Sequence, residues 1–268
     1  LAATPGDPSA LRIRALAQFD TGEPSAAHFA RASAADPGNA VLAIKHAAAL
    51  HAERRSAEGD RLLGEVIAAQ PFRLDALRTR AQLRWEAATG EDPMEGFEQA
   101  VARPGCPPQV WAEYARLAER HSGAQAALAI VDRARTALGD TREVAFMAAQ
   151  AACEAEDFAE REHDIAAVAS WQDPRADMLR ARWLARMHRW DELAKLGKRL
   201  LRAGYARDVL PYLSLAWRGS DPDRWHWLER DGELVGTADI ASRIRDVDAL
   251  AEHLRSIHTS QRQPLEQS

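Results

Sequence analysis

"ASAADPGNA" at 32–40 and "VIAAQPFRL" at 66–74 decide how this chain is read. Each is a stretch of helix-forming residues that runs into a proline, Pro37 in the first and Pro71 in the second, 34 residues apart. Proline lacks the backbone donor and collides with the preceding turn, so it stops a helix, and a stop that recurs at fixed spacing marks a repeat. "AVARPGC" (100–106) places Pro104 33 residues later, and "ALGDTRE" (137–143) has Gly139 in the helix-stop position. "SWQDPRAD" (170–177) brings Pro174 after 70 residues, two periods of 35, and a further 34 lands on Asp208 in "GYARDVLP" (204–211). Six units fit between Pro8 and Asp208.

Within a unit, two apolar stripes flank a break. Leu11, Ala15 and Phe19 lie along one face before "DTGEPS" (20–25), and Ala26, Phe29 and Ala32 line a second face after it. The third unit repeats this with Leu74, Leu77, Ala81 and Trp85, then "TGEDP" (89–93), then Phe97 and Ala100. Steps of three and four place these side chains on one side of a helix. Composition agrees: the chain is 46% hydrophobic, but much of that is alanine, and β-branched Val and Ile are sparse. The expected class is all-α.

The unit length, the Phe29–Ala32–Pro37 spacing and the pair Trp111 and Tyr114 resemble tetratricopeptide repeats over 8–208. The middle-turn glycine of that family stands at Gly22, Gly90 and Gly123 only. The resemblance implies an α-solenoid: a right-handed superhelix of helical hairpins, with the first helix of each pair facing a concave groove. It also implies a protein or peptide as partner. One position per period then faces the groove, near His51, Trp85, Glu119 or Arg120, Glu154 and His188, with Arg14, Gln82 and Glu113 from neighbouring turns. This set holds no repeated Lys/Arg and Asn clamp for a terminal carboxylate.

Other functions find less support. A net charge of −5 gives no basic face for nucleic acid, and "LGKRLLRAGYAR" (196–207) reads as a basic helix end that suits the helix dipole. No apolar run approaches the roughly 20 residues that cross a bilayer. Cys106 and Cys153 match no metal or redox spacing, so a cytoplasmic setting is expected. "LAATPGDPSA" (1–10) has neither a starting Met nor a signal-peptide pattern, so the chain is expected to begin inside its gene product. His51 and Glu53 are two apart on a helix and point about 200° apart, so they cannot share an ion. His163 and Asp164 sit in the charged run "EAEDFAEREHD" (154–164), a solvated face. No phosphate loop or nucleophile elbow is present, so the helical part carries no catalytic site.

Beyond Pro211 the pattern changes. In "WHWLERDGELVGTADI" (225–240), Trp225, Trp227 and Leu234 alternate around Asp231-Gly232, which predicts a small β-hairpin within a connector over 209–245. "RDVDALAEHLRSIHTS" (245–260) then shows a helical stripe of Val247, Leu250, Leu254 and Ile257, started by Asp246 or Asp248. The region 246–268 is read as this helix and the start of a further domain. "WHWLERDGELVGTADI" and "LAEHLRSIHTSQRQPLEQS" (250–268), with the run Gln263-Pro264-Leu265-Glu266-Gln267-Ser268, resemble the junction in bacterial proteins that carry tetratricopeptide repeats before a 2-oxoglutarate- and iron(II)-dependent oxygenase domain. That resemblance implies Fe(II) and 2-oxoglutarate for the complete domain only, because no His-x-acid pair on a strand stands in 1–268. The chain then serves as the partner-binding part of such an oxygenase. The other expectation is an adaptor whose C-terminal segment merely covers the last repeat.

Overall fold

A computed structural model describes residues 7–88, 90–229, 238–239, 243–244 and 246–257. Among these the chain is helical, with no strand. The helices come in consecutive pairs: α1 (Pro8–Asp20) and α2 (Ala26–Ala35), α3 (Ala40–Ala52) and α4 (Ser56–Ala69), α5 (Leu74–Ala87) and α6 (Glu95–Val101), α7 (Pro108–Ser122) and α8 (Ala124–Leu138). Then follow α9 (Arg142–Glu154) and α10 (Glu162–Ala169), α11 (Pro174–Arg186) and α12 (Trp190–Arg202), α13 (Ala206–Ser220) and α14 (Pro222–Glu229), and a last helix, α15 (Val247–Ile257). First helices begin every 32 or 34 residues. The chain forms two compact units, Leu1–His121 with Leu254–Ser268, and Ser122–His253, so the fourth pair falls either side of the division.

In the first unit α2 packs on α1 and α3, α4 packs on α3 and α5, and α3 also touches α5 directly. Its N-terminal core joins Ala15, Phe29, Ala32, Leu42, Ala49 and Leu50, with Phe19 edge-on to Phe29 at 6.0 Å. Alanine permits the close approach of paired helices, and Phe29 fills the space between them. Gly59 takes this furthest. A Cβ there would lie 2.8 Å from the backbone oxygen of Ala47, so α3 and α4 meet at a spacing only glycine allows.

The turns after α3, α5 and α11 do without a glycine at this point. Gly22, after α1, adopts left-handed backbone, and so do Arg54 (φ 62°), Ala88 (φ 49°) and His188 (φ 56°). The chain reverses in the same way with or without glycine, at a cost of about 1 kcal/mol where a Cβ is present.

In the second unit α12 packs on α11 and α13, α11 on α9 and α13, and α13 on α14. Trp183, Leu184, Leu193, Leu200, Val209, Leu213 and Trp217 form its core, and Trp225 and Leu228 pack against it. The expected β-hairpin is overturned in its described half: "WHWLE" is helical, within α14. Asp221 precedes Pro222 and accepts a hydrogen bond from the Arg224 backbone at 3.3 Å, a cap followed by proline at the first helical position. The inward side chains are Trp225 and Leu228, three apart, while Trp227 is 66% exposed. The alternation of tryptophans thus belongs to a helix with one partly buried and one solvated aromatic. Leu234 and the Asp231-Gly232 turn lie outside the described residues, as do Gln263 to Ser268. Pro211 sits inside α13 without ending it. The helix read over 246–257 is present as α15, capped by Asp246, whose side chain accepts from the Ala249 backbone at 2.9 Å.

Candidate functional site

Three first helices of the first unit, α3, α5 and α7, are tied together by side chains one period apart. His51, at the end of α3, lies 3.0 Å from Ser56 Oγ through Nδ1 and 3.3 Å from Glu86 Oε2 through Nε2. Glu86, on α5, also accepts from Gln82 Nε2. Burial raises the Glu86 pKa, but His51 and Gln82 outweigh it and hold the carboxyl below its ordinary value. Beside it Trp85 meets His121 of α7 edge-on at 5.0 Å. The result is a half-buried line of imidazole, carboxylate, amide and indole groups across three helices.

A second tie lies towards the start of the same helices. Glu113 on α7 is 6% exposed at its side chain and accepts from Arg78 of α5 at 2.9 Å and from Arg116 at 2.7 Å. Burial disfavours its charge; the bonds from Arg116 and Arg78 win and keep its pKa low. A third joins α4, α5 and α6. Asp60 accepts from Arg80 Nε at 2.9 Å and Arg84 Nε at 2.6 Å, and Arg84 Nη1 donates to Glu95 Oε2 at 2.5 Å. Arg84 is almost fully buried, with its pKa raised chiefly by Asp60.

The structure sorts the eight residues expected on the groove. His51, Gln82 and Trp85 fall on the line just described. Glu113 forms the separate buried tie. Arg14 stands exposed on α1 and Arg120 exposed on α7. In the second unit Glu154 ends α9 and pairs with Arg182 of α11 at 2.5 Å. His188 is exposed after α11, stacked on Trp190 at 5.1 Å. Sequence reading missed Glu86, His121, Arg78 and Arg182. A signal for most of them existed: His51 and Glu86 are 35 apart, as are Arg78 and Glu113, so complementary groups one period apart mark neighbours on successive first helices.

Among the described residues, no three His, Cys, Asp or Glu side chains gather to hold a metal, and no helix is long and apolar enough to cross a membrane. The described residues thus offer no ligand set for the Fe(II) of an oxygenase, and no step is assigned to it. Cys106 and Cys153 are buried and form no disulfide. No protein-family model, no curated protein and no solved structure matches this chain.

Proposed function

We propose that this chain is a helical-repeat scaffold that binds a protein or peptide along the first helices of its pairs. The observation that carries this is the line His51–Glu86–Trp85–His121, which offers hydrogen-bonding and aromatic groups at successive periods on α3, α5 and α7. Such a row suits an extended peptide, whose own groups recur regularly, and packed helices hold it in place. The pairing of helices within each unit supports the solenoid reading. Two buried cysteines outside any disulfide suit a reducing compartment such as the cytoplasm. The test is selection from a displayed random-peptide library on the intact chain, repeated with Trp85→Ala and Glu86→Ala. Enriched peptides that lose at least about tenfold in affinity on both variants support the site. Enrichment indifferent to both removes it.

The oxygenase association is proposed on the run Gln263–Ser268 alone, since α14 takes away the hairpin that accompanied it. Intact mass of the natural gene product tests it. A product that continues by about 80 residues or more calls for Fe(II) and 2-oxoglutarate binding assays on the whole protein. A product ending at Ser268 leaves the adaptor reading.

A further inference from the structure

Successive second helices leave a gap above the first helix that lies between them, and two such gaps in the first unit can be compared position by position. Adding 34 to Ala26, Ala30, His46, Leu50 and Arg61 gives Asp60, Gly64, Arg80, Arg84 and Glu95. In the gap between α4 and α6 the chain fills itself. The Arg80 and Arg84 guanidiniums lie between the Asp60 and Glu95 carboxylates, and Gly64 leaves room for Arg80. In the gap between α2 and α4 the places of Asp60, Gly64 and Arg84 are taken by Ala26, Ala30 and Leu50, and a cavity of about 320 Å³ stays open over α3.

The lining of the open gap has two parts. Ala26, Ala30, Leu50 and Leu62 make an apolar floor, and His46, Arg55, Glu58 and Arg61 make the rim. Arg55 is committed to Glu58 through Nε at 2.7 Å and Nη2 at 2.8 Å. Arg61 uses only Nη1, on the exposed Glu65, so the rest of its fork has no partner among the described residues. His46 is half-buried and has no hydrogen-bond partner among the described residues. Burial first, then Arg55, lowers the pKa of its imidazole, against a smaller pull from Glu53 and Glu58. The rim thus offers the spare donors of Arg61 and the His46 ring above a surface that favours hydrocarbon.

We propose that this cavity binds a small carboxylate with an apolar body: the carboxylate takes the free donors of Arg61 and the His46 ring, and the body covers Leu50 and Leu62. The exposed Arg61–Glu65 pair is weak enough to yield to such a ligand. Where the second gap carries an internal guanidinium plug, the first has space for an external group of opposite sign.

The test uses the full chain titrated with hexanoate and with hexan-1-ol, followed by calorimetry and by the His46 ring resonances. Hexanoate is expected to bind about tenfold more tightly than the alcohol, the scale of one charge-assisted contact. It is also expected to raise the His46 titration midpoint, since a bound anion favours the imidazolium. Ala30→Phe, at an exposed position, is expected to abolish binding. Arg61→Gln is expected to bring hexanoate down to the alcohol's affinity. Equal binding of acid and alcohol, no binding of either, or an unmoved His46 overturns the proposal. An acetylated peptide ending in leucine, compared with its C-terminal amide, separates the two sources of such a group. Tighter binding of the free-acid peptide than of hexanoate overturns assignment to a free small acid in favour of a chain terminus.

Discussion

Glu53 caps a helix that begins 27 residues before it: its Oε1 accepts the backbone N–H of Ser25 at 2.9 Å and that of Ala26 at 2.8 Å. Ser25 occupies the cap position of α2 but makes no side-chain cap bond of its own. The start of α2 is thus satisfied from the end of α3, and a negative charge sits where the helix dipole favours it. Replacing Glu53 with Ala removes both effects and is expected to cost about 1–2 kcal/mol. Ser25→Ala is expected to cost much less, because only a hydroxyl is lost and the backbone bond survives. Urea melts of the two variants check the order, and a larger loss for Ser25→Ala would contradict the cross-repeat cap.

Acid is expected to loosen the first unit through Glu86 and Glu113. Both have folded pKa values below the ordinary 4.5, despite the opposing effect of burial. A depressed carboxyl pKa stabilises the fold above the unfolded value, and this contribution is lost as pH falls from 4.5 towards the folded values. The urea midpoint should therefore hold near neutrality and decline below pH 4.5. Glu113→Gln should lower the midpoint at pH 7, by about 1 kcal/mol because Arg78 is half-exposed, and flatten the decline. An identical slope in wild type and variant counts against the tie.

Two backbone positions should respond in opposite ways. Gly59→Ala gains helix propensity yet places a methyl 2.8 Å from the Ala47 carbonyl oxygen. The collision with backbone should dominate, with a net loss of about 1–3 kcal/mol. Ala88→Gly relieves a left-handed alanine and should gain about 0.5–1 kcal/mol. Thermal melts of both variants decide. A stabilised Gly59→Ala would mean that α3 and α4 can part at little cost.

The two tryptophans of α14 are expected to differ sharply. Trp225 packs on the core of the second unit, and its replacement by Ala should cost about 1–3 kcal/mol. Trp227 is mostly solvated, so Trp227→Ala should stay within about 0.5 kcal/mol. Equal losses would point back to a shared apolar face of the kind a hairpin presents.

The helices and their period were legible because they are set by local chemistry. Proline at 37, 71 and 104 follows closely on the end of a helix and Pro174 opens α11, and apolar residues three and four apart define a face before any partner is known. The stripe over 247–257 was found for the same reason. "WHWLE" was misread because a five-residue apolar–polar alternation fits strand and short helix alike, and only the core that receives Trp225 and Leu228 settles it.

The eight groove residues show the same limit from the other side. Their register followed from the period, but it could not say that His51 would spend its ring on Glu86 and Ser56, or that Glu113 would be buried between two arginines. Nor could it foresee that one gap is closed by Arg80 and Arg84 while its neighbour stays open over His46. Sequence by itself determined where the chain turns and which side of each helix is apolar, because those depend on residues a few places apart. Which polar groups meet depends on helices 20 to 35 residues apart coming within hydrogen-bond reach, and that only the tertiary structure decided.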